Sequence, residues 1–481
     1  LDHNSGAGAN WSSDAEGALM AGEGHSNNYT AVVGLGVTGL ACVRHLRRLG
    51  DRVVVLDSRP TPPAKAELQA EHPEVELYCG SLERQLLFNA KRIVVSPGLD
   101  LRYGVWAELR GLGRELCGEL TLFAEALSAS ERGGMGERRG PQVVAVTGSN
   151  GKSTVVSLLA EMARSAGLKV ALGGNLGTPA LDLLAAGLPD TFILEVSSFQ
   201  LETSAGLPVD AAAVLNISPD HMDRYDDLSH YARTKQRLLD KAAVAVINSD
   251  DEHVRVMGDE QRQRVLRFSL DDGSADYSCR PTEEGEYLTV GDQQVIAVSD
   301  LALAGRANCA NALAAMALAD ACGLPREAQL SGLRSFAGLP HRMERVGEWQ
   351  GVEWINDSKA TNVGAALAAL AGVDRQVVLI AGGQAKGADF RPLAHACVEK
   401  ARALIIFGED APVIEAALAG RVPAVRVADL SEAVSSAVEL AQPGDCVLLA
   451  PACASFDSFS GYEQRGEVFR EAVLGEVANH G

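Results

Sequence analysis

The chain has 481 residues, more than one ordinary hydrophobic core accommodates, so two to four domains are expected. Hydrophobic residues make up 47% and charged residues 22%, the balance of a soluble globular protein. The formal net charge of −20 excludes broad electrostatic capture of nucleic acid or anionic lipid, while a local Lys/Arg cluster still admits small anionic substrates.

Nine cysteines are scattered without CxxC spacing, which argues against a zinc site or a disulfide framework and for a reducing compartment, the cytoplasm. No apolar run is long enough to span a bilayer. Leu1 to Asn28 is rich in Gly, Ala, Ser and Asn and lacks the apolar core of a signal peptide, so it reads as a disordered leader, with Met20 a candidate start.

The first strand is expected at Thr30 to Val33, followed by a glycine turn and a helix from Val37 to about Leu49. Strands Arg52 to Leu56 and Arg92 to Val95 follow, the first ending at Asp57 and the second at Ser96-Pro97-Gly98. Strands alternating with helices predict a parallel α/β sheet. Ser128 to Gly140 is Gly-rich, charged and without apolar period, and reads as a surface linker. The pattern restarts at Val143 to Val146 and continues with strands at Thr191 to Leu194, Ala211 to Leu215 and Val244 to Ile247. A small β excursion is expected within Asp271 to Gln294, then an alanine-rich helix over Ala307 to Ala321. A third restart near Gly338 leads to strands at Val352 to Ile355, Val377 to Ile380, Ala403 to Phe407, Ala424 to Val427 and Cys446 to Leu449. Three restarts predict three α/β domains.

The strongest chemical signal is Thr147-Gly148-Ser149-Asn150-Gly151-Lys152-Ser153-Thr154, between an apolar strand and a helix. Glycines let backbone amides turn toward a phosphate, and the helix N-terminus adds partial positive charge. Lys152 can reach terminal phosphates, and the Ser153 hydroxyl can bind Mg²⁺. Val146 stands where the common phosphate loop has its first glycine. The alternative is a tight turn with a chance lysine.

Gly34-Leu35-Gly36-Val37-Thr38-Gly39, with Asp57 ending the next strand, matches a dinucleotide fingerprint. The physics asks only for a diphosphate at a helix N-terminus, so NAD and a UDP-sugar both fit, as does close packing without a ligand. Glu195 ends a strand and heads Glu195-Val196-Ser197-Ser198-Phe199-Gln200, where a metal ligand or a solvated terminus is expected. His221, in Asp220-His221-Met222-Asp223, can bind metal or phosphate, although a lone histidine is more often structural. Lys235, in a helix starting near Leu228, is a surface lysine on periodicity alone. Asn308 and Asn311 share a helix face, which suits base recognition or helix capping. His341-Arg342 and the polar string Asn356 to Asn362 flank the third restart, as a ligand loop or an elaborate cap.

Taken together, GLGVTGL (34–40), TGSNGKST (147–154), GGNLG (173–177), LEVSSFQLE (194–202), DHMDRY (220–225), GLPHRME (338–344), WINDSKATNVG (354–364), GGQAKGADF (382–390), PACASFD (451–457) and YEQRG (462–466) resemble the Mur ligase family, and within it the D-glutamate-adding branch. The resemblance runs from about Tyr29 to the C-terminus. It implies a Rossmann-like N-terminal domain binding a UDP substrate (29–118, after the leader 1–28), a central P-loop-type ATPase domain with a parallel sheet (119–338), and a C-terminal Rossmann-like α/β domain that binds the amino acid (339–481).

The implied activity is ATP-dependent ligation of D-glutamate to UDP-N-acetylmuramoyl-L-alanine through an acyl phosphate. Another Mur-type amino-acid ligase is the alternative, and a folate polyglutamate ligase, an NAD-dependent oxidoreductase and a non-catalytic nucleotide switch are further rivals. Implied for the UDP substrate are Val37, Thr38, Ser58, Arg59, Ser96, Asn175 and His221. For ATP they are Gly148, Asn150, Gly151, Lys152, Ser153, Thr154, Asn308, Asn311, Arg342, Asp357 and Lys359. Ser153, Glu195, His221 and Lys235, the last as a carbamate, would organise Mg²⁺, and Lys152, Glu195, His221 and Lys235 would form the catalytic set. Thr361, Lys386, Ser455 and Tyr462 would surround D-glutamate. Gln384-Ala385, Ala450 and Tyr462 depart from the residues common in the family. A cytoplasmic monomer without nucleic-acid or membrane partners is expected.

Overall fold

The computed structural model describes residues 28–133, 140–204, 206–303 and 305–480. The leader, apart from Asn28, lies outside the described residues. The chain divides into two compact units: Leu1–Thr147 with Gly167–Ala212 and Thr234–Ala245, and Gly148–Ala166 with Ala213–Arg233 and Val246–Gly481.

The first unit opens with β1 (Thr30–Val33), β2 (Val53–Asp57), β3 (Glu76–Cys79), β4 (Arg92–Val95) and β5 (Leu116–Cys117), hydrogen-bonded in the order β3-β2-β1-β4-β5. Every pair is parallel. β1 and β2 are buried along their whole length because both faces are covered, which is why they read as unbroken apolar runs. Strand succession runs outward from β1 to β3 and then resumes on the other side at β4, so a crevice opens at the carboxyl ends of β1 and β4.

A second sheet comprises β6 (Gln142–Thr147), β7 (Val170–Gly174), β8 (Thr191–Glu195), β9 (Val209–Val214), β10 (Ala242–Asn248), β11 (Arg264–Ser269), β12 (Tyr277–Thr282), β13 (Gly285–Val290) and β14 (Gln293–Ala297). Its order is β14-β13-β12-β11-β10-β9-β6-β8-β7. β6, β8 and β7 pair in parallel, whereas β12, β13 and β14 form an antiparallel meander, the expected β excursion.

In the second unit the helix Lys152–Ser165 packs on the helices Arg306–Ala321 and Arg326–Ser335, and its Val155, Val156, Leu158, Leu159 and Met162 are buried. Each such side chain contributes roughly 1.5–3 kcal/mol of transfer free energy, which anchors the helix whose N-terminus carries the glycine loop. Gly332 makes the close approach possible, since a Cβ there would lie 2.7 Å from the Met162 side chain. The third sheet has β15 (Glu344–Trp349), β16 (Val352–Asn356), β17 (Val377–Gly382), β18 (Ala401–Phe407), β19 (Ala424–Arg426) and β20 (Cys446–Leu449), ordered β15-β16-β20-β17-β18-β19. Only the β15 pairing is antiparallel, and apolar cores cover both faces.

The Ser128 to Gly140 linker is corrected in part. A helix spans Glu119–Gly133, and the Ser128 hydroxyl donates to the Ala124 carbonyl at 3.0 Å, satisfied within the helix. The remainder, 134–139, lies outside the described residues. β3, β5, β7, β11 and β15 were not expected; β11 carries Arg264 and Arg267 and is only partly buried. β3 is a partly exposed edge, β5 has two residues, β7 ends in two glycines, and β15 is charged and contains Gly347.

Candidate active site

Gly34 turns the chain at the end of β1 with φ +93°, and a Cβ on Gly39 would sit 1.9 Å from the Gly34 carbonyl oxygen. The glycine spacing therefore lets the helix Val37–Arg48 start almost on the turn. The Asp57 carboxylate accepts from the Leu35 amide at 2.7 Å and from Arg59 Nη2 at 2.6 Å. Burial pushes its pKa up, but the Arg59 and amide hydrogen bonds outweigh burial and hold it below the usual carboxylate value. Asp57 thus pins the turn and orients Arg59, whose side chain remains half exposed. Ser96 donates to the Gly34 carbonyl at 2.9 Å, while Val37, 63% exposed at the helix start, leaves an apolar surface beside the turn. Thr38 and Ser58 are half-buried nearby in sequence.

At the carboxyl end of β6, Glu195 is the strand partner of Val146. The glycine-rich GGNLG segment folds onto that strand end: the Asn175 amide group donates to Glu195 Oε1 at 2.7 Å, and its backbone N–H donates to the Glu195 carbonyl at 2.8 Å. Asn175, expected above at the UDP substrate, bonds Glu195 in this structure. Lys235 corrects the surface reading. It is 1% exposed, and its Nζ lies 3.5 Å from the Thr147 hydroxyl at the mouth of the glycine loop. The short helix Leu228–Gln236 also buries Tyr231, Ala232 and Thr234, so its inward face includes the position that periodicity placed outside.

Within the second unit, the loop Gly148 to Gly151 is held by polar groups at almost every residue. Ser149 N–H donates to the Asn216 carbonyl at 2.9 Å, and its hydroxyl donates to the Ser218 carbonyl at 3.1 Å. Asn150 and Asn216 exchange reciprocal bonds of 2.8 and 3.1 Å. Lys152 Nζ donates to the Gly148 and Ser149 carbonyls, each at 2.8 Å, so its ammonium arches over its own loop. Ser153 and Thr154 are buried in the first helical turn. Gly151 has φ +83°, and a Cβ there would meet Asn311 Oδ1 at 2.5 Å. Asn311 donates to Asn308 along the shared helix face at 3.2 Å, and the cap of that helix is Gly305 with no side-chain cap bond.

Arg342 Nη2 donates to the Ser153 hydroxyl at 2.5 Å, which brings the third restart onto the phosphate loop. Asp357 accepts from the Met343 amide at 3.2 Å. Enough protein surrounds its partly exposed carboxyl to push the pKa up to about 6, with the Met343 N–H and Arg342 opposing the effect of burial. The Lys359 ammonium sits 3.7 Å from the centre of the Tyr462 ring, a cation–π contact. Asn362 caps the helix Val363–Ala371 by accepting from Ala365 N–H at 2.8 Å. The cap reading of Asn356 to Asn362 therefore holds at Asn362. Thr361 lies half-buried within it, Ser455 is buried after β20, and Lys386 lies 5.7 Å from the centre of the Phe456 ring.

Arg465 was not singled out from the sequence. Fully buried, it donates to the Ser358 hydroxyl and carbonyl at 3.0 and 2.8 Å and to the Cys453 carbonyl at 3.1 Å. Burial lowers its pKa to about 10. It ties together the loops after β16 and β20, and its signal was the YEQRG string. Asn216 and Ser218 were also passed over, because their role depends on a contact distant in sequence.

Backbone strain collects in the same loops. Of seven non-glycine residues with positive φ among the described residues, His221, His341, Met343, Lys386 and Ala452 lie in these loops, at 46° to 61°, and Gln350 and Ala419 lie elsewhere. Such conformations cost of order 1 kcal/mol each and cluster where function over-determines the backbone. The His221 ring lies 3.7 Å from the Asp220 carboxylate.

The chain matches three family profiles: Mur ligase MurD-like, N-terminal domain, over residues 28–118; Mur ligase middle domain, over 146–319; and Mur ligase, glutamate ligase domain, over 341–453. It is 48% identical to a protein of Nitrosococcus oceani named UDP-N-acetylmuramoylalanine–D-glutamate ligase, covering 92% of this chain and 96% of that one. A Pseudomonas aeruginosa protein of the same name is 44% identical, with 93% and 98% covered. Among solved structures, a UDP-N-acetylmuramate–alanine ligase from Thermotoga maritima shares the fold at TM-score 0.59 and 17% identity, covering 93% of this chain and all of that one. A pseudomurein peptide ligase from Methanothermus fervidus does so at TM-score 0.57 and 20% identity, with 93% of this chain and 100% of that one covered. With three α/β sheets, three matching profiles and near full-length relatives, the chain belongs to the Mur ligase family.

Proposed function

We propose that this chain joins D-glutamate to UDP-N-acetylmuramoyl-L-alanine at the expense of ATP, giving UDP-N-acetylmuramoyl-L-alanyl-D-glutamate, ADP and phosphate. The observation that carries the reading is the phosphate loop clasped by Arg342 at Ser153, in a chain whose near full-length relatives bear that activity in their names.

In the proposed reaction an oxygen of the substrate carboxylate attacks the γ-phosphorus of ATP, and ADP leaves. The D-glutamate amine attacks the resulting acyl phosphate. The tetrahedral adduct collapses with loss of phosphate, and the amine proton goes to solvent. Carboxylate and triphosphate repel one another, so catalysis is largely positioning and charge stabilisation. Lys152 and the turned amides of Gly148 to Gly151 would hold the β- and γ-phosphates, with Arg342 beside them. Asn308 and Asn311, on the face that meets Gly151, would hold the nucleoside, joined by Asp357 and Lys359. Val37, Thr38, Ser58, Arg59 and Ser96 border the first glycine turn and would take the uridine diphosphate. Asn175 and His221 would contact the rest of that substrate. Lys386, Thr361, Ser455 and Tyr462 would receive D-glutamate, with Lys386 pairing one carboxylate.

The residues that would hold Mg²⁺ are the Ser153 hydroxyl and the Glu195 carboxylate, both hard oxygen donors that suit this ion, with His221 as a borderline nitrogen donor. Lys235 fits that set only as a carbamate, since a buried ammonium would repel the metal, and carbamylation replaces that positive charge with a negative one. When bound, Mg²⁺ would neutralise phosphate charge. We place the domain boundaries at 29–118, 119–338 and 339–481. No helix among the described residues is long and apolar enough to cross a membrane. We read the protein as a cytoplasmic monomer.

The mechanism is tested with UDP-N-acetylmuramoyl-L-alanine carrying ¹⁸O in its carboxylate. One labelled oxygen should appear in the released phosphate. Unlabelled phosphate formed along with the dipeptide product would rule out the acyl phosphate.

A further inference from the structure

Asn362 divides its side chain between two tasks. Its Oδ1 accepts from Ala365 N–H and caps the helix Val363–Ala371. Its Nδ2 donates to Asn150 Oδ1 in the phosphate loop at 3.3 Å and to Asp220 Oδ2, next to His221, at 3.1 Å. A second observation places the same helix start tightly against the same region. A Cβ built on Gly364 would come within 2.8 Å of the Ser218 hydroxyl, and Ser218 in turn bonds Ser149 and Asn150. The cap oxygen serves the fold of the helix, while the amide nitrogen reaches away from it to two loops that are distant in sequence.

We infer that Asn362 is a positioning residue that registers the Asn356 to Thr361 loop on the phosphate loop and the His221 loop. Asp357, Lys359 and Thr361 sit within six residues before it, so a slip at Asn362 displaces the groups assigned to ATP and to the amino acid together. Asn150 N–H and the Asn216 side chain already fix the phosphate loop from one side, and Asn362 completes that frame from another. The inference rests on the ligase reading for its kinetic consequence, but not for the contact itself.

Asn362→Asp separates the two tasks. Aspartate caps a helix as well as asparagine does, so the thermal midpoint should hold. Its second oxygen cannot donate, and it faces the Asp220 carboxylate and Asn150 Oδ1, so the frame should open. Turnover should fall about 10- to 100-fold with little change in KM for the UDP substrate. Hydrogen exchange should quicken in residues 148–151 and 216–221 of the ligand-free protein. Adding Asp220→Asn restores a donor opposite residue 362, and the double variant should exchange more slowly than Asn362→Asp alone. Gly364→Ala offers an independent probe. Alanine favours the helix, yet its methyl group should crowd Ser218, so stability should hold while exchange in 216–221 quickens. Unchanged exchange and turnover in both Asn362→Asp and Gly364→Ala would overturn the inference. If the unaltered protein releases no phosphate with D-glutamate, the ligase reading fails, and the exchange measurements still decide whether Asn362 holds the frame.

Discussion

Asp357 carries a proton more tightly in the folded chain than in the unfolded one, because burial pushes its pKa up to about 6 from an ordinary value of 3.8. The native state therefore binds more protons across the window between those values, and stability from this group falls as pH rises through it. Well above pH 6 the ionised carboxyl is held at a cost of roughly 3 kcal/mol. Asp357→Asn keeps an acceptor for the Met343 N–H and removes that cost. Its thermal midpoint should exceed that of the unaltered protein at pH 7.5, with the gap closing toward pH 4, while ATP turnover drops. A gap independent of pH would show that ionisation of Asp357 is not what burial penalises. Lys235 makes a second test. Lys235→Ala should lose about 100-fold in turnover and regain part of it when formate or acetate is added, a small carboxylate standing in for the carbamate. No response to either would remove the carbamate from the account. Motif residues such as Lys152 were legible because glycines, lysine and hydroxyls coincide in one stretch. Lys235 was not, since a single buried lysine leaves no trace in a helix period and only the family resemblance marked it.

Elements were legible where burial on both faces leaves an unbroken apolar run. β1, β4 and β20 fall at the residues the pattern predicts, whereas half-exposed β3 and charged β15 carry no such run. The glycine turn after β1 shows how an element junction is set by contact. Gly39 is required by the 1.9 Å approach to the Gly34 carbonyl, not by its own φ. Gly39→Ala should force the helix Val37–Arg48 away from the turn, destabilise the protein by about 1–3 kcal/mol and weaken binding of the UDP substrate. Retained stability and affinity would mean that the turn relaxes freely and that the fingerprint spacing serves no close approach. Asp57 belongs to the same lesson. Sequence spacing offered it as the acid of a dinucleotide fingerprint, and the folded chain employs it on Leu35 and Arg59.

For the whole molecule, the three restarts of apolar strands anticipated three sheets, and the strand orders then brought loops distant in sequence to shared edges. What one stretch of sequence could not convey were the partners of Asn216, Asn362 and Arg465, because each bridges segments far apart in the chain. The central claim is the amino-acid selectivity, and it is tested most directly by phosphate release from Mg²⁺-ATP and UDP-N-acetylmuramoyl-L-alanine with D-glutamate, L-glutamate, L-alanine or meso-diaminopimelate added in turn. The account predicts release with D-glutamate alone. Release with a different amino acid, or with none, would contradict it.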